Sequence, residues 1–329
     1  MKQNCNFIPY TGSIDITNMC NLKCLHCFNR SNELIRDELC DEAFLQVIKD
    51  LAKLKLYGFC FCGGETLLRY PLLVESIRIL KEGGTHSVNM VSNGLKLTDQ
   101  KVKELKTAGI EMIQISLDGS CEKTHNYMRG NKAAFQGAIQ ALDLLEKNNM
   151  QFSVAFCPTN FNIQEFPELA KMLNQYENII SLRIQPLMVM GRATDTIKPT
   201  DEQYRDLVNI ISKFKLERNL HYAVHWGDPI DHLIRFRDYL SNEGVIHILS
   251  NGDITVSPYL PLTVGNVRRH SILDYVDAGL GSIWQSKIVR KYSADIRSID
   301  DLGKSHFGKT IFKDESIHLD LIDNMEAFI

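Results

Sequence analysis

From residue 14 to about residue 190 the chain repeats one alternation, a short apolar run followed by an amphipathic helical stretch. The runs predict strands at Ser13–Thr17, Tyr57–Cys62, Ser87–Val91, Met112–Leu117, Phe152–Cys157 and Leu182–Leu187. Apolar residues at helical spacing predict helices around Leu39, Phe44, Val47, Ile48, Leu51 and Leu54, and around Leu73, Ile77 and Leu80. Further helices are expected at Val102 and Leu105 behind a Thr98 cap, at Phe135, Ile139, Leu142 and Leu145, and at Phe166, Leu169 and Leu173. Strands that alternate with helices imply right-handed crossovers and a parallel sheet, so the pattern predicts an α/β chain curved into a full or partial barrel. In such folds chemistry collects at the carboxyl ends of the strands.

After about residue 195 the pattern changes, which predicts a boundary between residues 1–195 and 196–329. Thr200 caps a helix carrying Tyr204, Leu207, Ile211 and Phe214. Val245–Ser250 and Asp253–Ser257, joined by Asn251-Gly252, predict a hairpin in which both turn residues take positive φ. A net charge of −3 gives no electrostatic case for nucleic acid or an anionic membrane. The opening 17 residues lack the features of a signal peptide, and no apolar run approaches the roughly 20 residues of a membrane helix. The expectation is a soluble, cytoplasmic protein.

The nine cysteines (Cys5, Cys20, Cys24, Cys27, Cys40, Cys60, Cys62, Cys121 and Cys157) all lie at or before residue 157. An odd count with three in eight residues reads as metal ligation in a reducing compartment, not a secreted disulfide framework. Cys20, Cys24 and Cys27 follow the first predicted strand directly. Three thiolates can hold three irons of a cubane cluster and leave the fourth iron open, because a closed site takes four cysteines. The alternative is zinc with His26 as fourth ligand. Against zinc, His26 adjoins Cys27, whereas zinc motifs usually draw ligands from two separate pairs.

The CxxxCxxC spacing after the first strand resembles the radical S-adenosylmethionine (SAM) superfamily, and further motifs extend the likeness. The resemblance implies a [4Fe-4S] cluster on Cys20, Cys24 and Cys27, with His26 where family members usually carry an aromatic residue. The second strand ends in Gly63-Gly64-Glu65, which in the family meets the amino group of SAM. Ser92-Asn93-Gly94 resembles the family's Thr/Ser-Asn-Gly turn. Ser116-Leu117-Asp118-Gly119 followed by Arg129 is similar to the Ser-x-Asp-Gly…Arg segment of the peptide-modifying branch. By that match Ser116 bonds the ribose and Arg129 the SAM carboxylate; Asp118 either touches the ribose or braces the turn, the brace being favoured. Leu187 is expected near the adenine. The implied fold is a partial (β/α)6 TIM-type barrel.

The stretch from Asn251-Gly252-Asp253 through Ser257-Pro258-Tyr259-Leu260-Pro261, then Val264-Gly265-Asn266-Val267 and Ile283-Trp284, resembles a SPASM or twitch region. Family members hold auxiliary clusters there with cysteines; here Ser257 stands at the first such position and no cysteine follows. The resemblance therefore implies a small C-terminal α+β domain that has kept its scaffold and lost its clusters. It also implies a peptide substrate, or alternatively a small molecule such as a tetrapyrrole side chain or sugar. An electron donor such as flavodoxin or ferredoxin is implied as partner. A single-cluster enzyme suits a redox-neutral or hydrogen-donating step, with Cys157 or Cys121 as possible donor. Cys60 and Cys62 share a strand face and are expected in the core, while His225, Trp226 and Arg192 are candidates for a substrate cavity.

Overall fold

The computed structural model describes residues 11–33, 37–217, 219–238, 245–294, 296–302 and 317–328. Cys5 and most of the opening segment lie outside the described residues. The chain begins β1 (Thr11–Asp15), α1 (Asp41–Lys53), β2 (Gly58–Cys62), α2 (Tyr70–Glu82), β3 (Ser87–Ser92) and α3 (Asp99–Ala108). It continues β4 (Met112–Ser116), α4 (Glu122–Arg129), α5 (Ala134–Lys147), β5 (Gln151–Phe156), α6 (Phe166–Leu173) and β6 (Ile179–Ile184). Then follow α7 (Asp201–Glu217), β7 (Ala223–Trp226), α8 (Pro229–Asp238), β8 (Val245–Ile248), β9 (Asp253–Thr255) and β10 (Leu262–Asn266). Last come α9 (Ile272–Asp277), α10 (Lys287–Ser293), β11 (Ile317–His318) and α11 (Met325–Phe328). No helix among the described residues is long and apolar enough to cross a membrane.

All six expected strands form, but β6 sits three residues earlier than expected. Gln185 still donates its N–H to Phe156 O at 2.8 Å. Pro186 has no N–H to offer, so the ladder stops and Leu187 falls outside the strand. Thr200 caps α7 as expected, its Oγ1 accepting the Gln203 N–H while Gln203 Oε1 accepts the Thr200 N–H. Helix α4 carried no apolar period because its buried residues are His125, Met128 and Arg129.

The chain divides into two compact units. The first draws on Met1–Met19, Ser31–Asn89 and Pro229–Ile329; the second comprises Cys20–Arg30 and Met90–Asp228. In the second unit β4, β5, β6 and β7 pair in that order, all parallel. In the first, β1 pairs in parallel with β2 on one side and with β8 on the other. β9 runs antiparallel to β8, and β10 antiparallel to β9. The hairpin thus continues the ladder that starts at β1.

The β8–β9 turn differs from the two-residue form. Of its Asn-Gly pair, positive φ falls on Gly252 and not on Asn251. Leu249 donates to Asp253 O and Gly252 donates to Leu249 O, both at 2.8 Å, so the loop opens at Leu249. The Asn251 side chain bonds Asp253 instead, 2.8 Å from Nδ2 to Oδ2.

One face of the β1–β2–β8–β9 ladder is apolar, with Ile14, Ile16, Phe59, Phe61, Ile246, Ile248 and Ile254 all buried. The alternate positions are polar: Ser13 Oγ lies 2.7 Å from His247 Nδ1, and the Cys60 and Cys62 sulfurs are 3.6 Å apart. Cys60 and Cys62 are half-buried, which corrects their placement in the core. Alternation put them opposite Phe59 and Phe61, and the phenyl rings took the packed face.

At the exit of β2, Gly64 donates its N–H to Thr17 O at 2.7 Å and Glu65 donates to Met19 O at 2.9 Å. A Cβ on Gly63 would meet Thr17 O at 2.4 Å, and one on Gly64 would meet Met19 O at 2.1 Å. Both glycines are thus needed for close backbone approach to the segment that leads into Cys20. Farther along the first unit, the Tyr275 hydroxyl accepts the Asn266 N–H at 3.0 Å and donates to Asp320 Oδ2 at 2.7 Å. His270, Asp320 and Asp323 gather ligand-type atoms within 4.8 Å. Their carboxylates are engaged by Tyr275, Arg269 and the N–H groups of Ile322 and Asp323, so the group reads as a brace.

Three substitutions test this packing. Gly64→Ala is expected to lower the thermal midpoint, at a cost of about 1–3 kcal/mol from forced backbone displacement. Gly58→Ala is the contrast: its Cβ would have Thr11 Cγ2 at 3.4 Å as nearest neighbour, so stability should hold or rise slightly. In a chemical denaturation series, Tyr275→Phe should cost about 1–3 kcal/mol, because the buried Asp320 carboxylate loses its hydroxyl donor.

Candidate active site

The loop Cys20–Arg30 has no helix or strand of its own, and the second unit holds it from several directions. Leu25 donates its N–H to Met128 O at 2.9 Å. Arg192 donates its backbone N–H to Cys27 O at 3.0 Å and its Nε–H to Cys24 O at 2.9 Å. Gly130 (φ +63°) and Gly191 (φ +64°) let backbone reach the loop, since a Cβ would meet Lys23 O at 2.6 Å and Cys27 O at 2.3 Å respectively. Cys24 is buried, while Cys20 and Cys27 are half-buried.

On the Cys20 side, Asn93 Nδ2 donates to Asn21 Oδ1 at 2.8 Å and lies 3.9 Å from Cys20 Sγ. Ser92 Oγ accepts the Gly94 N–H and Asn93 Oδ1 accepts the Leu95 N–H, so this pair both makes the turn after β3 and reaches the cysteine loop.

On the Cys24 side stands a buried charged group. Asp118 is fully buried and lies 2.6 Å from Arg129 Nη2 and 3.7 Å from His26 Nε2. Its Oδ1 accepts the Cys157 N–H at 3.0 Å. Its own N–H goes to His125 Nδ1 at 2.9 Å, and its carbonyl accepts Asn162 Nδ2–H at 2.8 Å. Arg129 Nη1 lies 3.7 Å from Cys24 Sγ. Arg129 Nε and His26 Nδ1 are buried and make no hydrogen bond among the described residues.

Burial governs the protonation states here. It lowers His26 to about 4 and His125 to about 3, so both rings are neutral at pH 7. Burial also pushes the Cys24 thiol up, with Arg129 offsetting part of the rise, and pushes Cys157 well above its usual range. Burial, the largest single effect, would raise Asp118, but the Arg129 charge, the two histidines and the Cys157 N–H together outweigh it and the carboxyl stays ionised.

The structure therefore brings Cys24, His26, Asp118, Arg129 and Cys157 into one cluster. Ser116 ends β4 just before it. Glu65 is buried in the first unit, where its side chain accepts the Leu67 N–H and caps the 3₁₀ turn Thr66–Arg69. Leu187 is buried beyond the end of β6 and donates its N–H to the Tyr204 hydroxyl at 3.1 Å. Cys121 is exposed at the N-terminus of α4, where Glu165 receives bonds from Ser120 and Thr124. His225 and Trp226, at the end of β7, are both exposed. Sequence reasoning missed His125 and Asn162. His125 stands four residues before Arg129 on α4, and that polar i, i+4 pair on a buried face was the available signal.

The donor set can be tested against the alternatives. A single zinc would need its thiolates about 3.8 Å apart, from Zn–S bonds of about 2.3 Å. Among the described residues, the triplet does not bring three ligand atoms within 4.8 Å of one another.

Residues 14–173 match the radical SAM superfamily. The sporulation killing factor maturation protein SkfB of Bacillus subtilis (strain 168) is 27% identical over 227 residues, 69% of this chain and 52% of that protein. The chain thus spans about half the length of SkfB. The AdoMet-dependent heme synthase of Methanosarcina barkeri (strain Fusaro / DSM 804) is 24% identical over 278 residues, 77% of this chain and 78% of that one. Streptococcus suis SuiB, solved with S-adenosylmethionine bound, aligns with a TM-score of 0.70 at 16% identity over 87% of this chain and 68% of that one. With its precursor peptide SuiA bound, the TM-score is 0.67 at 17% identity, over 89% of this chain and 67% of that one. These likenesses show the fold class, α/β with a large parallel sheet of the partial TIM-barrel type. The matched family uses a [4Fe-4S] cluster and SAM. Residues 14–173, just under half of this chain, are thus similar to the radical SAM superfamily.

Proposed function

We propose that the protein cleaves SAM reductively and abstracts a hydrogen atom from a ribosomally made peptide. The observation that carries this reading is the clamped loop that presents three thiols in eight residues, with Cys24 set beside a buried cation. Cys20, Cys24 and Cys27 would hold the cluster, and Ser92, Asn93, Ser116 and His26 are the residues of the second unit offered to SAM. When bound, the cluster and SAM supply the one-electron chemistry, with flavodoxin or ferredoxin as an external electron source. The chain's own part is to orient and to exclude water. Asn93 orients the Cys20 end of the loop, and the Asp118–Arg129 pair closes the Cys24 end.

A peptide is favoured because SkfB is by name a maturation protein and SuiB has been solved with a precursor peptide. In this reading residues 1–195 carry the SAM chemistry, and residues 196–329 form a SPASM/twitch-like region without clusters. Ser257, at the first auxiliary cysteine position, is buried and its Oγ accepts the Tyr259 N–H at 3.1 Å, a structural role. Absent an auxiliary cluster, the reaction after hydrogen abstraction is redox-neutral or hydrogen-donating. Of the two cysteines considered as donors, Cys157 is the better placed, beside Asp118 and Arg129, while Cys121 is exposed. A small-molecule substrate such as a tetrapyrrole side chain is the second reading. The heme synthase favours it by matching more of both chains than SkfB does.

Anaerobically reconstituted protein should form 5′-deoxyadenosine from SAM when a reductant is added. Cys24→Ala should lose both the cluster and this product; product formed at the wild-type rate without a cluster would refute the assignment. Iron analysis should give about four irons per chain, and about eight would overturn the reading of residues 196–329. Incubation in deuterated water with peptides encoded beside the gene, followed by mass spectrometry, separates the substrate readings. A deuterium gain or mass change on a peptide supports the first, and turnover confined to a tetrapyrrole supports the second.

A further inference from the structure

The Asp118–Arg129–Cys24 group carries an inference about the cluster itself, and it rests on the reading above that Cys24 is a cluster ligand. We infer that Arg129 donates to the Cys24 sulfur, held there by Asp118, and so sets the reduction potential of the cluster. The expectation from resemblance gave Arg129 to the SAM carboxylate instead. In this structure two of its three nitrogens lie against protein groups, Nη2 2.6 Å from Asp118 Oδ2 as an ion pair and Nη1 3.7 Å from Cys24 Sγ.

The backbone delivers Arg129 to this position. It is the last residue of α4, whose end is tied to the cysteine loop by the Leu25 N–H to Met128 O bond. The next residue, Gly130, packs on Lys23 O at a distance no side chain would allow. Asp118 cannot swing away to release the guanidinium. Its other carboxylate oxygen holds the Cys157 N–H, its amide is held by His125 and its carbonyl by Asn162.

A cation and an N–H donor beside a ligating sulfur draw charge from it and favour the reduced, more negative cluster. Cys24, Arg129 and Asp118 are all at least 90% buried, so water screens the effect little. The Asp118 charge opposes that of Arg129. Removing the cation should therefore make reduction harder, and removing the anion should make it easier. A purely structural role for the pair would not move the potential in opposite directions.

The test is a redox titration of the reconstituted [4Fe-4S] protein without SAM, followed by EPR, on wild type, Arg129→Gln, Arg129→Lys and Asp118→Asn. At the wild-type midpoint, Arg129→Gln should lower the ratio of reduced to oxidised cluster by about tenfold, equivalent to about 59 mV for a one-electron couple. Asp118→Asn should raise that ratio, and Arg129→Lys should restore part of the loss. Should Arg129→Gln not retain a cluster, the Arg129→Lys and Asp118→Asn shifts decide. Unchanged potentials in variants with intact clusters would overturn this inference alone, and weaker SAM binding in the same variants would return Arg129 to the carboxylate. Failure of the wild type to form any cluster would instead overturn the assignment of Cys20, Cys24 and Cys27.

Discussion

Close approach of backbone to backbone is the constraint on which the candidate site depends. The chain from Thr17 to Cys27 leaves β1 and makes no helix or strand, so its position is not set by a ladder. Its carbonyls are met by backbone at four glycines: Thr17 O by Gly63, Met19 O by Gly64, Lys23 O by Gly130 and Cys27 O by Gly191. At each of them a Cβ would lie 2.6 Å or less from an oxygen. The observed neighbours of the Gly63-Gly64 pair are the Thr17 and Met19 carbonyls of its own unit, so its first physical role is to fix the chain leaving β1.

Within that frame the charged residues are arranged around Cys24. A buried carboxylate costs several kcal/mol unless paired, and Asp118 is paired with Arg129 and bonded to a backbone N–H. The neutral His26 and His125 rings leave the Asp118–Arg129 pair as the dominant buried charges at pH 7. The same residues that were matched to SAM-binding motifs thus form an internal network joining α4, the end of β4, the start of the segment after β5 and the cysteine loop. Cys157 belongs to this network through its N–H, whereas Cys121 sits on the exposed N-terminus of α4.

The carboxyl-terminal third shows a pairing that no local signal announces. Val245–Ser250 and Asp253–Ser257 read as a hairpin because their alternation and Asn-Gly turn are local signals. In the structure β8 pairs in parallel with β1, Gly12 opposite Ile246, and buries Ile246 and Ile248 on the same face as Ile14. A partner more than 200 residues away supplied the hydrogen bonds, and nothing in the local pattern names it.

The sequence by itself determined the alternation of six strands with helices, the order of the motifs at strand ends, the triplet Cys20, Cys24 and Cys27, and the Thr200 cap. Those features rest on period, spacing and capping chemistry, which are local. Only the tertiary structure decided that the face of Phe59 and Phe61, not that of Cys60 and Cys62, is the packed one, that β6 stops before Pro186, and that Leu187 turns to Tyr204. It alone decided that Arg129 meets Cys24 and Asp118. These outcomes depend on which distant backbone reaches which carbonyl and on which buried charges must find partners, and such pairings have no period along the chain.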